Sequence, residues 1–211
     1  MDIEKNVKKV LGQIGGRARV VAASKYVQAP EMAILYQQGI TIMGENRVDS
    51  LLRKKKELSL PVQWHFIGTL QSRKVKEVIN EISCLHSLDR LSLAKEINKH
   101  RLQPLDCLVQ VNVSGEASKQ GIKPGELLDF LEALKPYGLI RVTGLMTMAS
   151  NTEDAGVVSA CFNQLARLKE KAVAHGYGQI QELSMGMSND YLLALKEGAT
   201  MVRLGSVLFE N

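Results

Sequence analysis

Residues 20–25 read Val20-Val21-Ala22-Ala23-Ser24-Lys25, and this stretch decides how the rest of the chain is read. Small and β-branched residues in a row make a short strand buried on both faces. It ends on a lysine, and Pro30 soon opens a helical pattern. The carboxyl ends of strands are where α/β folds place their chemistry. An amine partly withdrawn from water gives up its proton more readily, and the neutral amine is the form that attacks an aldehyde to make an imine. A strand-end lysine can equally send its ammonium into solvent, so the decision falls to residues far downstream.

Working outward, the same alternation recurs to the end of the chain. A helix is expected over Asp2–Leu11, with Ile3, Val7, Val10 and Leu11 on one face and Gly12, Gly15 and Gly16 breaking it. After the first strand, a helix from Pro30 to Gly39 leads into a second strand, Ile40–Met43, and a helix over Glu45–Lys56. Val62–Ile67 and Ile82–Ser87 read as strands, followed by helices over Gln71–Asn80 and Asp89–His100, the latter capped by Asp89. Leu105–Val113 is a near-continuous apolar strand, and the helix opened by Pro124 closes at Pro136 and Gly138. Ile140–Met146 then precedes a long helix through Val158, Leu165 and Ala172 to Gly176. A strand at Gln179–Ser184, a helix capped by Ser188 through Lys196, and the strand Met201–Leu204 complete the pattern. Eight strands alternating with helices within 211 residues imply parallel pairing and a closed (β/α)8 barrel, read as one domain over residues 1–211. A doubly wound open sheet is the competing fold, and no Gly-x-Gly-x-x-Gly follows the first strand to favour dinucleotide binding.

Composition narrows the classes. With 45% hydrophobic and 23% charged residues the chain has ordinary globular make-up, and no apolar run is long enough to span a bilayer. The charged start Met1-Asp2-Ile3-Glu4-Lys5 lacks the apolar core of an export signal, so a cytoplasmic setting is expected. Cys84, Cys107 and Cys161 read as reduced core residues, and the four histidines form no close pair in sequence, so no metal site is expected. The net charge of +5 raises the question of nucleic acid, but aromatics are only 5%, too few for base-stacking platforms. The run Arg53-Lys54-Lys55-Lys56 reads as a solvated helix end, where cations suit the dipole. Small anionic ligands fit the charge equally well.

Such barrels often bind phosphate with the loops after their seventh and eighth strands. Here those segments are Ser184-Met185-Gly186-Met187-Ser188 and Arg203-Leu204-Gly205-Ser206, which offer hydroxyls, glycines and free backbone amides. Ser188 as a plain cap and Gly205 as a turn are the plainer readings. A phosphate cradle and an imine-forming lysine at one mouth suggest a phosphorylated aldehyde. Pyridoxal phosphate is the economical candidate, and a Schiff-base phospho-sugar aldolase its rival. Glu45 and Asn46 follow strand two, His65 sits near the end of strand three, and Lys119 follows strand five. Glu45 reads equally as a first-turn helix acid, His65 as a satisfied core histidine, and Lys119 as solvated. Met146, Met148, Met185 and Met187 belong around the mouth, where thioethers can pack on a flat ring or fill the core.

Taken together the chain resembles the pyridoxal phosphate homeostasis family, which is similar to the alanine racemase N-terminal domain. The motifs are Ala23-Ser24-Lys25, Gly44-Glu45-Asn46-Arg47, His65-Phe66-Ile67-Gly68, Ser114-Gly115-Glu116 with Lys119, Gly144-Leu145-Met146-Thr147-Met148, Ser184-Met185-Gly186-Met187-Ser188 and Val202-Arg203-Leu204-Gly205. The resemblance implies a barrel with an added N-terminal helix and pyridoxal 5'-phosphate as cofactor, held as a Schiff base on Lys25. It also implies phosphate contacts from Ser184, Gly205 and Ser206, Arg203 facing the pyridine nitrogen, and Asn46, Met146 and Met185 completing the cofactor site. An arginine there keeps its own proton, leaving the ring a poorer electron sink that suits holding the cofactor. The expected role is buffering or delivering pyridoxal phosphate, to PLP-dependent apo-enzymes among others, with effects on amino-acid and keto-acid pools. The alternatives are a PLP-dependent amino-acid racemase and a regulatory module that meets another protein. The chain ends at Asn211 without the second domain through which racemases supply a tyrosine base and dimer contacts, so a monomer without racemase chemistry is expected. Tyr26 departs from the small or basic residue that many members carry after the lysine.

Overall fold

A computed structural model describes residues 2–210. In it the eight strands lie side by side in chain order and close into a parallel barrel. The first half runs α1 (Ile3–Ile14), β1 (Arg19–Ala23), α2 (Ala29–Gln37), β2 (Ile42–Glu45), α3 (Val48–Glu57), β3 (Gln63–Phe66), α4 (Val75–Val78), β4 (Cys84–Leu88) and α5 (Leu91–His100). The second half runs β5 (Leu105–Gln110), α6 (Leu127–Leu134), β6 (Ile140–Met146), α7 (Ala155–Ala174), β7 (Glu182–Ser184), α8 (Tyr191–Lys196), β8 (Met201–Leu204) and α9 (Ser206–Phe209). Closure makes the first and last strands neighbours, with Val21 opposite Arg203 and Ala22 opposite Leu204.

Two apolar layers hold this arrangement. One lies between strands and helices and takes in Met32, Leu51, Phe66, Leu85 and Phe162. A smaller one fills the barrel itself, from Val21, Ile42, Cys84, Leu108, Met146 and Met201. Inward and outward residues alternate along a strand, so each strand feeds both layers. All three cysteines are free and buried, as expected from sequence.

Several boundaries differ from the sequence expectation, each for a physical reason. Helix α1 runs through Gly12 to Ile14 and ends in a left-handed Gly15, φ +58°, whose N–H bonds to Leu11 O at 2.9 Å. Burial of Ile3, Val7, Val10 and Ile14 contributes about 1.5–3 kcal/mol each, which outweighs the roughly 1 kcal/mol that a mid-helix glycine costs. Strand β2 takes Glu45 from the helix expected to begin with it, because that carboxylate is buried against Lys54. The helix expected at Gln71–Asn80 shortens to α4, preceded by a 3-10 turn at Ser72–Lys74. Helix α5 is preceded by Arg90 rather than capped by Asp89, whose carboxylate pairs with the Arg90 guanidinium at 2.7 Å.

Candidate cofactor site

The carboxyl ends of β1 and β8 open into a cleft of about 1350 Å³, lined by Lys25, Arg203, Gly205 and Ser206 among others. Their neighbourhood follows from topology: β1 and β8 are hydrogen-bonded partners, and the two loops leave the barrel side by side. Lys25 stands on an exposed turn with its Nζ 4.6 Å from the centre of the Tyr26 ring, itself 83% exposed. The partial withdrawal from water expected of this amine is therefore absent here. Among the described residues no hydrogen bond or ion pair engages it, so it is open to a ligand.

The floor of the cleft is Arg203, 5% exposed. Its Nη1 donates to Ser184 Oγ at 2.7 Å and its Nη2 to the Thr147 carbonyl at 2.8 Å. Burial pulls this guanidinium down to about 10, with Asp190 opposing the shift, so it remains a cation at neutral pH. Burial in turn raises the Asp190 carboxyl, whose Oδ1 accepts from Met187 N–H at 2.6 Å and orders the loop after β7. In that loop Gly186 has φ +90°, and a Cβ there would lie 2.6 Å from Ala194 Cβ. Ser188 does not cap α8, whose first flanking residue is Asp190. Its Oγ instead accepts from the backbone N–H groups of Gly205 at 3.1 Å and Val207 at 3.3 Å.

Beneath the floor runs a polar chain that sequence reasoning missed. Ser184 Oγ meets His86 Nδ1 at 2.9 Å, and His86 Nε2 meets His65 Nδ1 at 2.9 Å. One assignment satisfies all three contacts: Arg203 donates to Ser184, Ser184 to His86 Nδ1, and His86 Nε2–H to His65 Nδ1. Burial, then the charge of Arg19, lowers His65 to about 4. Burial, then His65, pushes His86 down as well, so both rings are neutral near pH 7. The expectation that no two histidines are close is thus overturned, since β3 and β4 are adjacent strands. Cys84 lies beside the pair, with all three ligand atoms within 4.8 Å of one another. The facing imidazole nitrogens are already spent on each other, and burial holds the Cys84 thiol well above its usual range, in the protonated form that binds metals poorly.

Four of the eight residues expected at the cofactor site therefore line the cleft: Lys25, Arg203, Gly205 and Ser206. The other four lie elsewhere. Ser184 is buried below, committed to Arg203 and His86. Met146 fills the barrel interior and Met185 the layer between barrel and helices. Asn46 is exposed on the rim after β2. Of the remaining methionines, Met148 and Met187 do line the cleft. Lys119, expected to be solvated, also lines it and donates to Glu116 Oε1 at 2.9 Å and to the Ala149 carbonyl at 2.6 Å. A second omission is Lys54, read as part of a solvated basic run but 1% exposed and paired with Glu45 at 2.6 Å. Its signal was present: Val48, Leu51, Lys54 and Leu58 recur at three- and four-residue spacing, which puts the lysine on the buried stripe.

A closed parallel barrel of eight strands in this order matches a known class. The family described as alanine racemase, N-terminal domain, matches residues 2–210. The chain belongs to the pyridoxal phosphate homeostasis protein family. A pyridoxal phosphate homeostasis protein of Aquifex aeolicus is 38% identical over 196 residues, covering 91% of this chain and 86% of that one. The protein of that name in Pseudomonas aeruginosa is also 38% identical, over 98% of this chain and 94% of its own. The solved structure of PipY from Synechococcus elongatus with PLP bound superposes with a TM-score of 0.89 at 29% identity, covering 98% of this chain and 99% of that one.

Proposed function

We propose that this chain binds pyridoxal 5'-phosphate through Lys25 and serves its homeostasis, holding the cofactor and passing it on to PLP-dependent apo-enzymes. One observation carries the reading: a free, exposed lysine amine and the Gly205–Ser206 loop line one cleft because β1 and β8 pair. The residues present fit the cofactor. The backbone N–H groups of Gly205 and Val207 converge on one oxygen, the Ser188 hydroxyl, which supports reading the last loop as one that presents amides to an oxygen ligand. Arg203 has donors beyond the two it uses to hold itself in place, and it can offer one to a ring nitrogen.

When bound, the cofactor supplies an aldehyde that condenses with an amine and releases water. Lys25 provides the amine, and Gly205 and Ser206 bind the phosphate. Ser184 acts through Arg203, whose permanent charge leaves the pyridine nitrogen without a proton and favours retention over carbanion chemistry. Met146 and Met185 support this wall from within the core, and Asn46 stands on the same rim. The unit is read as one domain over residues 1–211, acting as a monomer inside the cell. No helix among the described residues is long and apolar enough to cross a membrane.

The relatives' shared name and the PLP-bound neighbour support this reading over a racemase. The test is to mix purified protein with pyridoxal 5'-phosphate, follow the visible band, reduce with borohydride and map the labelled peptide. Label on Lys25, lost in Lys25→Ala, is the expected result. Label spread over surface lysines, or undiminished in Lys25→Ala, contradicts the reading. Amino-acid racemisation far above the free cofactor's own rate would favour the enzyme.

A further inference from the structure

The turn that carries Lys25 is tied down from inside the protein. Val27 N–H donates to the Ser24 carbonyl at 3.1 Å, closing a turn with Lys25 and Tyr26 at its tip. The same carbonyl accepts from Lys54 Nζ, which reaches it from α3. That ammonium is 1% exposed and also meets Glu45 Oε1 at 2.6 Å, the carboxylate being fully buried at the end of β2. Ser24 Oγ donates to the same Oε1 at 2.8 Å, and Ser24 N–H to the Gly44 carbonyl at 3.0 Å. Glu45 Oε2 is buried without a hydrogen-bond partner among the described residues.

Burying both charges is costly, and an apolar pair of similar volume would often serve stability as well or better. Arg53, Lys55 and Lys56, the neighbours of Lys54, all face solvent. What this lysine gains by going inward is contact with one main-chain oxygen, in the peptide bond that joins Ser24 to Lys25. The ion pair therefore acts on the base of the turn. An exposed, otherwise unheld amine has its reach set by that base.

We propose that Glu45 and Lys54, with Ser24 between them, form a positioning device for Lys25: the buried pair fixes the turn from which the amine meets the cofactor's aldehyde. The inference rests on the cofactor role given above to Lys25. Neither Glu45 nor Lys54 lines the cleft, so both act through the turn.

The test compares native protein with Glu45→Gln/Lys54→Met, which removes both charges at similar volume. Lys54→Met alone strands a buried carboxylate and can fail to fold. Amide exchange at Val27 should quicken by about tenfold in the double variant while Leu108 and Val109 in β5 are unchanged. Covalent adduct formation with pyridoxal 5'-phosphate should slow by about tenfold or more. Affinity for pyridoxine 5'-phosphate, which carries an alcohol in place of the aldehyde, should stay at the native value. Unchanged exchange at Val27, or an unchanged rate of adduct formation, overturns the proposal. So does a parallel loss of pyridoxine 5'-phosphate affinity and of β5 protection, which marks a merely structural pair. Native protein that forms no adduct overturns the premise, and the Val27 exchange then tells that failure apart from a failure of the turn itself.

Discussion

Arg203 is the buried cation at the floor of the cleft. It lies in β8, one strand from Lys25, and is held by the Ser184 hydroxyl and the Thr147 carbonyl in two different directions. A lysine at this position is a point charge that cannot span both acceptors. Arg203→Lys should therefore lose about 1–3 kcal/mol of stability in urea unfolding, as a buried acceptor goes unpaired. Below it, His65 and His86 make stability depend on pH. Folding holds His65 neutral down to about 4, whereas the unfolded chain takes up that proton near 6.5. His86 shifts in the same direction. The unfolded state thus binds more protons across this window, and stability must fall as pH drops from 6.5 towards 4. At about 1.4 kcal/mol per unit, His65 alone accounts for roughly 3 kcal/mol. Urea midpoints measured across the window check this, and His65→Gln/His86→Gln should flatten the dependence. Lys25 was legible in the sequence from its place at a strand end, and Arg203 from the family resemblance. The histidine pair was not, because 20 intervening residues separate its members until β3 and β4 pair.

At the scale of elements, alternation and apolar periodicity were enough to find every strand and most helices. Sequence reading failed where tertiary burial overrode a local signal. Gly12 looked like a breaker, yet α1 passes through it because four buried side chains hold the helix down. A Cβ at Gly12 meets no atom within 4 Å. Gly12→Ala should therefore stabilise the protein by about 0.5–1 kcal/mol, read as a higher urea midpoint with an unchanged slope. A lower midpoint would show that the helix does not continue there. Likewise Glu45 resembled a first-turn acid, a choice that propensity alone favours. Its burial against Lys54 draws it into β2 and moves the start of α3 to Val48.

For the whole molecule, barrel closure is what turns two distant stretches of sequence into one site. The loop after β8 lies beside the turn after β1 only because the eighth strand returns to pair with the first. The pattern of eight βα units made that closure legible, whereas which polar groups face inward depends on strand register, which no spacing rule supplies. Ser184 illustrates the limit: the sequence placed it at the end of the seventh strand, but its bonds to Arg203 and His86 follow from register. The most direct measurement is a crystal structure of the protein loaded with pyridoxal 5'-phosphate. The account predicts continuous density from Lys25 Nζ into the ligand, with its phosphate on the Gly205 and Ser206 amides and its ring nitrogen towards Arg203. A ligand bound away from the β1–β8 mouth, or a phosphate far from that last loop with Lys25 free, would contradict it.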